Sequence, residues 1–450
     1  MQPSLAVQDQ SQSKLHRIVI VGGGAGGLEL ATQLGNKEHK EGRADIVLVD
    51  RSATHIWKPL LHEVAAGTMD EDTHELEYVA QARWHHFEFQ QGELIGLDRA
   101  RHVITISAVF DEDGMEILPR REITYDTLVL AIGSEANFFD IPGAKEHAIA
   151  IDTAAEAEHF RRRWLAICIR ANSDLSQKKS TAAARIDIVI IGGGATGVEL
   201  AAELRSAAEV LNAYGLRHLN PRRDIRITIV EAGPRILAGV QERVADNTVK
   251  LLCDLDVEIL VNERVTRVDK NAVFTASGKK LLADLTVWTA GIRVSKVLAD
   301  IGLPSNKLGQ VPVLQTLQTE VDQDIFAFGD CASCPWPEKG TVTPPRAQVA
   351  QQQAKFLYHA LRKRLAKKPL PLFEFHDHGS LISLGRFDAV GNLMGKLIGK
   401  ALLIEGTLAR VLYVWLYRRH LMALHGFLRM LANWMAQWLR RRTSPRVKLH

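Results

Sequence analysis

The sequence contains few cysteines and no long apolar run. Its four cysteines, Cys168, Cys253, Cys331 and Cys334, are too few and too scattered for a disulfide framework, which suits a reducing compartment. The first sixteen residues are polar and lack the apolar core of a secretory signal. No stretch reaches the roughly 18 uncharged apolar residues that span a bilayer. These absences predict a protein that stays on the cytoplasmic side and has no membrane-spanning segment.

Acidic residues are absent from the end of the chain. The last one is Glu405, and residues 406–450 contain nine Lys or Arg and no acid. Residues 1–405 carry 47 bases against 52 acids, a net charge of −5, whereas the whole chain carries +4. An acidic body with a basic tail predicts an acidic partner surface, either anionic lipid or nucleic acid.

The hydrophobic pattern of this tail distinguishes between these two partners. Its apolar residues step by three and four positions, as on one face of a helix, and its tryptophans suit a membrane headgroup region. The stripe comprises Leu421, Leu424, Leu428, Leu431, Met435 and Trp438, and the tryptophans are Trp415, Trp434 and Trp438. We therefore expect residues 406–450 to lie on a lipid bilayer surface and expect no nucleic acid partner. The alternative is that this helix packs on the protein body or on a second subunit. A homodimer is therefore a second possible role of the tail.

A β-branched run, a glycine-rich turn and a helical pattern follow one another near the start of the chain, as a Rossmann crossover requires. We expect Gly22 to make the tight turn, Gly24 to let the backbone approach a pyrophosphate, and Gly27 to allow close packing of helix on strand. Asp50 ends the next predicted strand, where it can accept hydrogen bonds from ribose hydroxyls. The full turn is Gly22, Gly23, Gly24, Ala25, Gly26 and Gly27. The pattern predicts a dinucleotide site.

The same pattern repeats in the middle of the chain. The strand 186–191 leads into a second glycine turn, and the strand 226–230 ends in Glu231. The second turn is Gly192, Gly193, Gly194, Ala195, Thr196 and Gly197. The acid lies further from the turn than the usual ~20 residues, which predicts a longer helix or loop around 214–224. An acid here bonds the ribose 2′-OH of NAD and repels the 2′-phosphate of NADP, so NADH is predicted although Arg235 lies nearby.

Two Rossmann units in this order are typical of flavoproteins with two dinucleotide-binding domains. Two further hydrophobic strands end at Gly133 and at Ala290–Gly291, where the chain is expected to pass from one domain to the other. The segment ending in Asp330 resembles the late strand whose aspartate contacts the ribityl chain of FAD, which implies that the NADH domain is inserted into the FAD domain. The predicted fold class is α/β, with two Rossmann-type domains and C-terminal amphipathic membrane-anchoring helices. The predicted division is 1–150 and 304–375 for the FAD domain with a quinone-site helix, 151–303 for the NADH domain, and 376–450 for a C-terminal hairpin and anchoring segment.

One C-x-x-C pair, Cys331 and Cys334, follows Asp330 directly. It could be a redox pair or half of a soft-metal site. No second such pair completes four ligands, so two buried thiols are favoured and no metal is predicted. The segment before Gly67 also lacks the cysteine pair that disulfide reductases place against the flavin. Electrons must then leave the flavin directly for an acceptor that docks on it.

The segment 341–353 supplies a candidate for the acceptor site. Its two prolines predict the first turn of a helix with Thr343 as N-cap. Gln348 and Gln352 are four residues apart and share one helix face. Amide side chains can hydrogen-bond quinone carbonyls without adding a charge, although a solvated face is the ordinary alternative for such a pair.

These motifs resemble those of the type II NADH dehydrogenases, the bacterial enzymes in particular. AQVAQQ resembles their A-Q-x-A-x-Q quinone motif, and WKPLLHEVAAG, GGGATGVELAAEL, VEAGPRIL and GDCASCP extend the resemblance along nearly the whole chain. The resemblance implies NADH as substrate, non-covalent FAD as cofactor and a membrane quinone as acceptor. It also implies a respiratory enzyme that pumps no protons and lies on the cytoplasmic face of the inner membrane. Glu199 would lie near nicotinamide and flavin, whereas a helix acid favoured by the macrodipole is the alternative.

The motifs and the resemblance together assign the site residues. Beyond the two turns, the predicted FAD contacts are Asp50, Lys58, Gly133, Asp330, Ala347 and Gln348. The predicted NADH contacts are Glu199, Glu231, Ala290 and Gly291; the quinone contacts are Pro345, Gln348 and Gln352; and the catalytic residues are Glu199, Gln348 and Gln352. The alternatives are a sulfide:quinone oxidoreductase, a soluble ferredoxin or rubredoxin reductase, and a flavin-binding membrane scaffold without turnover.

Overall fold

The computed structural model describes residues 15–69, 75–177, 185–384, 388–393 and 402–405, together with five single positions in the tail. The described residues form two compact units. The first unit takes those within Met1–Ala53, Glu77–Gly133 and Lys296–Glu374, and the second takes those within Thr54–Leu76, Ser134–Ser295 and Phe375–His450.

Two large sheets and the helices around them position the candidate site. In chain order, the strands of these sheets are His16–Val21 (β1), Ala44–Asp50 (β2), Glu88–Gln91 (β3), Thr127–Leu130 (β4), Ile149–Ala150 (β5), Ile186–Ile191 (β6), Ile225–Val230 (β7), Val257–Leu260 (β8), Leu285–Trp288 (β9), Gln318–Thr319 (β10) and Asp322–Ala327 (β11). The α-helices are Gly27–Leu34 (α1), Leu61–Ala66 (α2), Tyr78–His85 (α3), Ala144–His147 (α4), Ala154–Ser176 (α5), Ala195–Ala213 (α6), Glu242–Asp254 (α7), Val297–Asp300 (α8) and Ala347–Leu365 (α9).

The sheet of the first unit has the strand order β10-β11-β4-β1-β2-β3. Its pairs are parallel except for β10 with β11. Ile18, Val19 and Ile20 of β1 are fully buried, a continuous apolar run that is typical of a parallel strand covered on both faces. α1 follows the glycine turn and packs against α9.

The sheet of the second unit has the order β5-β9-β6-β7-β8, and its pairs are all parallel. Each sheet therefore has the same local order around the strand that precedes its glycine turn. β1 lies between β2, which ends in Asp50, and β4, which leads to Gly133. β6 lies between β7, which leads to Glu231, and β9, which leads to Ala290. On one side of β1, and of β6, lies the next strand of that sheet in the chain, and on the other side lies a strand from later in the chain. The strand order therefore reverses at β1 and at β6. In open α/β sheets, the crevice at the carboxyl ends of such strands is where ligands bind.

The helix α2 belongs to the core of the second unit. Leu61, Val64 and Ala66 are buried in one apolar cluster with Phe160 and Trp164 of α5. Burial of these side chains is the physical reason that residues 54–76 group with the second unit, whereas the sequence division placed them in the first. Residues 134–150 group with the second unit as well.

Three antiparallel sheets of three strands each lie beside the two large sheets, in addition to several two-stranded pairs. They consist of Leu94–Asp98, Val103–Ile106 and Arg121–Thr124 in the first unit, and of Val265–Asp269, Ala272–Thr275 and Lys280–Leu282, and Gly379–Leu384, Asp388–Leu393 and Leu402–Glu405, in the second. The last of these sheets is an antiparallel hairpin extended by a third strand, within the segment 376–450 for which a hairpin is expected.

Most of the predicted amphipathic tail, including Trp415, Trp434 and Trp438, lies outside the described residues. The backbone is helical at the five described tail positions, Arg418, Met422, Leu424, Leu431 and Met435. Leu424 is buried, whereas Leu431 and Met435, which belong to the same predicted stripe, are exposed. Among the helices of the described chain, none combines the length and the apolar character needed to cross a membrane.

Candidate functional site

The first glycine turn is closed against the protein at both ends and open in the middle. Gly22 has φ +106°, and a Cβ there would lie 2.3 Å from the carbonyl oxygen of Ala131. A Cβ at Gly27 would lie 1.8 Å from the carbonyl oxygen of Gly22, so α1 can approach β1 this closely only without a side chain. Gly24 is exposed, and a Cβ there would meet nothing within 4 Å. The backbone of the turn is therefore accessible at Gly24.

Two side chains form hydrogen bonds with the backbone of this turn. The carboxylate of Asp50 accepts a hydrogen bond from the Gly23 N–H at 2.6 Å and another from the Ser52 N–H at 2.8 Å. The buried hydroxyl of Tyr78 donates to the carbonyl oxygen of Gly23 at 2.8 Å. Burial raises the pKa of Asp50, and the backbone N–H groups oppose this shift. Sequence reasoning identified Asp50 but missed Tyr78, which no motif marks.

Other predicted residues of the first unit lie at the same edge of its sheet. Gly133, with φ +71°, follows β4, Asp330 follows β11, and the glycine turn follows β1. These three strands are neighbours in the sheet, in the order β11-β4-β1. Buried Gln353 of α9 accepts a hydrogen bond from the Gly329 N–H at 2.7 Å. Gln310 donates to the carbonyl oxygen of Asp330 at 3.0 Å. These bonds fix the turn that carries Asp330, and neither glutamine was predicted.

The helix α9 begins later than the sequence predicted. Its N-cap is Arg346, in extended conformation, and Ala347 is its first residue. The prediction of Thr343 as N-cap was wrong, because it requires Pro344 to be the first helical residue, and Pro344 precedes Pro345 and is therefore driven towards extended backbone. The N–H of Thr343 instead donates to the carbonyl oxygen of Cys334 at 2.9 Å.

The glutamines proposed for the acceptor lie in the first two turns of α9. Gln348 and Gln352 are both half-buried, and their spacing puts them on one face. Ala347 is half-buried and Pro345 is exposed. The pair therefore stands partly accessible, whereas the neighbouring Gln353 is buried in the protein.

The thiols of Cys331 and Cys334 are buried and free. Burial raises the pKa of Cys331 to about 11 and that of Cys334 to about 12. Both side chains are therefore neutral thiols at physiological pH, whereas thiol–disulfide exchange requires the thiolate.

The second glycine turn repeats the geometry of the first. Gly192 has φ +112°, and a Cβ at Gly197 would lie 2.1 Å from the carbonyl oxygen of Gly192. A Cβ at Gly194 would meet nothing within 4 Å, and Ala195 and Thr196 are exposed beside it at the start of α6. The exposed N-terminus of this 19-residue helix can take a phosphate.

Glu231 holds the second turn as Asp50 holds the first. Its carboxylate accepts hydrogen bonds from the N–H groups of Gly193 and Gly233, both at 2.7 Å. The guanidinium of Arg235 donates to three backbone carbonyl groups of the following loop, those of Leu237, Ala238 and Val240, each at 3.0 Å. Arg235 is thus occupied in holding this loop, which leaves Glu231 as the charge at the turn.

Glu199 lies in a buried polar layer between α6 and α2. Its carboxylate oxygen is 3.6 Å from Nδ1 of His62, and both residues are buried. Burial lowers the pKa of His62 to about 4, so the ring is neutral at physiological pH. One turn along α6, the carboxylate of Glu203 accepts a hydrogen bond from the Thr68 hydroxyl at 3.0 Å. The sequence pointed to Glu199 but gave no sign of His62.

The remaining predicted residues are placed in the second unit. The ammonium group of Lys58 donates to the carbonyl oxygen of Ser134 at 2.9 Å and pairs with the carboxylate of Asp152 at 2.9 Å. The carbonyl oxygen of Ala290 accepts a hydrogen bond from the Trp288 indole at 2.8 Å. Gly291 has φ +70°, a conformation that favours glycine.

Comparison with known proteins agrees with this arrangement. The family model described as pyridine nucleotide-disulphide oxidoreductase matches residues 16–354. The chain is 40% identical to a type II NADH:quinone oxidoreductase of Haemophilus influenzae, over 97% of this chain and 100% of that protein. Its fold is similar to that of NDH2 from Plasmodium falciparum in complex with NADH, with a TM-score of 0.78, 19% identity, and 96% and 100% of the two chains covered.

A sulfide:quinone oxidoreductase of Aquifex aeolicus also shares the fold, with a TM-score of 0.70, 18% identity, and 91% and 92% of the two chains covered. At such identities the likeness concerns the fold alone, so the sequence relative decides between these enzymes. The chain belongs to the pyridine nucleotide-disulphide oxidoreductase family and, within it, to the type II NADH:quinone oxidoreductases.

Proposed function

We propose that this protein transfers electrons from NADH, through bound FAD, to a membrane quinone. The observation that carries the proposal is the repeated turn, which is closed at its first and last glycines, open at its third, and held by a strand-end carboxylate. Two such turns in one chain provide two dinucleotide sites, one in each unit. The sequence relative supports NADH and quinone as the two substrates.

FAD is assigned to the first unit. The residues there fit the cofactor, since a pyrophosphate can approach the open backbone at Gly24 and the carboxylate of Asp50 retains lone pairs for ribose hydroxyls. Gly133, Asp330, Ala347 and Gln348 would complete the site. Lys58 is proposed as a further FAD contact by family resemblance. When bound, FAD would supply the redox chemistry that passes two electrons from NADH to the quinone.

NADH is assigned to the second unit. The pyrophosphate would bind at Gly194, Ala195 and Thr196, whose backbone is exposed at the N-terminus of α6. Glu231 would accept hydrogen bonds from the ribose hydroxyls and would repel the additional phosphate of NADPH. The engagement of Arg235 with backbone carbonyl groups supports NADH over NADPH, because a 2′-phosphate needs a free cation. Ala290 and Gly291 would border the nicotinamide.

The quinone is assigned to the first turns of α9. Gln348 and Gln352 would donate to its carbonyl oxygens, with Pro345 beside them, and the helix N-terminus would favour negative charge nearby. Glu199 is buried, and we propose that its carboxylate holds or releases a proton during the reaction. Reduction of a quinone to a quinol consumes protons, so a buried acid that can pass on a proton is useful there.

The basic tail is assigned to the membrane surface, on the cytoplasmic face of the inner membrane. Each Lys or Arg close to an anionic surface contributes ~1 kcal/mol of binding. The exposed side chains of Leu431 and Met435 support this assignment, because they are available to insert into the lipid surface. A homodimer formed through the same tail is the competing use, and the truncation described below separates the two.

Steady-state kinetics of the purified chain with NADH test the proposed function. Gln352→Leu should lower the rate with a soluble quinone at least tenfold more than the rate with an electron-accepting dye, because the dye needs no amide contact. Lys355→Leu, an exposed position on the same helix, is the matched control and should leave both rates unchanged. Equal losses with quinone and dye in Gln352→Leu would remove the quinone assignment of α9.

A further inference from the structure

Gly23, the second glycine of the first turn, is buried, so its carbonyl group needs a hydrogen-bond donor inside the protein. The hydroxyl of Tyr78 is that donor, at 2.8 Å from the carbonyl oxygen. A Cβ at Gly23 would lie 2.4 Å from the same hydroxyl oxygen. The tyrosine therefore occupies the space that a side chain at position 23 would need, and the two residues fit each other as a pair.

The surroundings of Tyr78 fix the place of its hydroxyl. Its backbone N–H donates to the carbonyl oxygen of Ala53 at 3.1 Å, and its ring stacks on Phe89 of β3 with the ring centroids 5.0 Å apart. Burial and the nearby carboxylate of Asp50 both raise the pKa of Tyr78 well above its ordinary value. The hydroxyl therefore keeps its proton at physiological pH and stays a donor.

The hydrogen bond at Gly23 sets the direction of the next backbone N–H group. The carbonyl group of Gly23 and the N–H group of Gly24 belong to one peptide unit, which is planar and trans, so they point in opposite directions. Because the oxygen is held by Tyr78 on the buried side, the N–H of Gly24 points to the other side. Gly24 is exposed, and a Cβ there would meet nothing within 4 Å. The tyrosine therefore directs a backbone donor into the open part of the turn.

The second turn holds the equivalent carbonyl group with a different donor. The carbonyl oxygen of Gly193 accepts a hydrogen bond from the backbone N–H of Leu237 at 2.7 Å. Leu237 is buried and has φ +54°, and the guanidinium of Arg235 donates to its carbonyl oxygen at 3.0 Å. The orientation of the second turn thus depends on a backbone group, whereas that of the first depends on one hydroxyl, which a single substitution can remove.

We infer that Tyr78 is a positioning residue for the flavin cofactor, whose hydroxyl holds the Gly23 carbonyl group so that the N–H of Gly24 is aimed at the pyrophosphate of FAD. A backbone N–H that donates to an anionic phosphate forms a charge-assisted hydrogen bond, which is stronger than a neutral one. Without the hydroxyl, the Gly23 carbonyl group would lose its donor and the peptide would no longer be held in this orientation. The inference rests on the proposed function for the place of FAD in the first unit.

The substitution Tyr78→Phe removes the hydroxyl and keeps the ring that stacks on Phe89. We expect the Kd for FAD to rise about tenfold, measured from flavin fluorescence on serial dilution of the purified holoprotein, because the site loses one oriented donor. The phosphorus NMR resonances of the bound pyrophosphate should shift. The KM for NADH should stay at its native value, because the second turn does not use Tyr78.

A second variant and a matched control accompany this substitution. Gly23→Ala would displace the same hydroxyl with its Cβ and should shift the same phosphorus resonances. Tyr125→Phe removes another buried hydroxyl of the first unit, one that has no hydrogen-bond partner within the described chain, and should leave the resonances and the Kd unchanged.

The phosphorus resonances decide the outcome, because a merely structural role of Tyr78 would lower stability without moving the pyrophosphate. Native resonances in the Tyr78→Phe holoprotein would overturn the inference even if FAD dissociated more easily. An equal shift in Tyr125→Phe would overturn it as well. Purified native protein that holds no FAD would instead remove the proposed function and the inference together, which distinguishes the two failures.

Discussion

Gly194 and Gly197 lie three residues apart in one turn, and the structure gives them opposite demands. An alanine at Gly197 would press its Cβ against the carbonyl oxygen of Gly192 at 2.1 Å, and overpacking of this kind costs about 1–3 kcal/mol. An alanine at Gly194 would meet no protein atom within 4 Å. We therefore expect Gly197→Ala to lower the thermal unfolding midpoint. Gly194→Ala should leave that midpoint unchanged and raise the KM for NADH about tenfold, the equivalent of ~1.4 kcal/mol.

Circular dichroism melts and initial rates measure these two effects separately. If Gly194→Ala bound NADH as well as the native protein, the exposed backbone at this position would not be the place of the pyrophosphate.

Glu231 combines a structural and a chemical role at the second turn. Its carboxylate accepts two backbone hydrogen bonds, so Glu231→Ala would loosen the turn, whereas Glu231→Gln keeps one acceptor oxygen and removes the charge. Without the charge, repulsion of the 2′-phosphate of NADPH is lost. We expect Glu231→Gln to narrow the ratio of kcat/KM between NADH and NADPH at least tenfold. The ribose assignment would be abandoned if both nucleotides lost activity in equal proportion.

At the scale of elements, the sequence predicts the regular parts well. The strand 186–191 is observed at its predicted bounds, and the loop expected around 214–224 lies between Ala213 of α6 and Ile225 of β7. These elements are predictable because hydrophobic periodicity and glycine positions act locally. The start of α9 was missed because Pro345 restricts Pro344 to extended backbone, and this restriction outweighed the capping preference of Thr343.

The contacts that complete the site could not be predicted from the sequence. Tyr78 reaches Gly23 across 55 residues, and Gln353 reaches Gly329 across 24. His62 meets Glu199 only because α2 packs into the second unit rather than the first. Such contacts depend on the tertiary arrangement, and nothing in the local pattern marks these residue types as different from ordinary core or surface positions.

The predicted role of the tail can be tested by deleting the tail. Deletion of residues 406–450 should leave the NADH-to-dye rate within about twofold, since the glycine turns and α9 lie outside the deletion, and should abolish sedimentation with anionic vesicles. Substitution of Arg440, Arg441 and Arg442 by glutamate in the full-length chain is the matched control. It should weaken binding to anionic vesicles more than to neutral ones.

Analytical ultracentrifugation of the deletion distinguishes the competing role of the tail. Loss of a dimer with vesicle binding retained would show that the segment joins two copies of the chain instead of anchoring one.

For the whole molecule, the account depends on two dinucleotide sites that serve one reaction. The same glycine turn and the same carboxylate contact occur in both units, and the helix α9, to which we assign the quinone, follows the second turn in the chain. The family assignment and the sequence relative agree with that plan.

Stopped-flow absorbance of the purified protein tests this plan most directly. Addition of NADH without an acceptor should bleach the flavin absorbance, and NADPH should do so much more slowly. Subsequent addition of quinone should restore the absorbance within the steady-state turnover time. Bleaching by NADH with no recovery on addition of quinone, or recovery that requires a thiol reagent, would contradict the account.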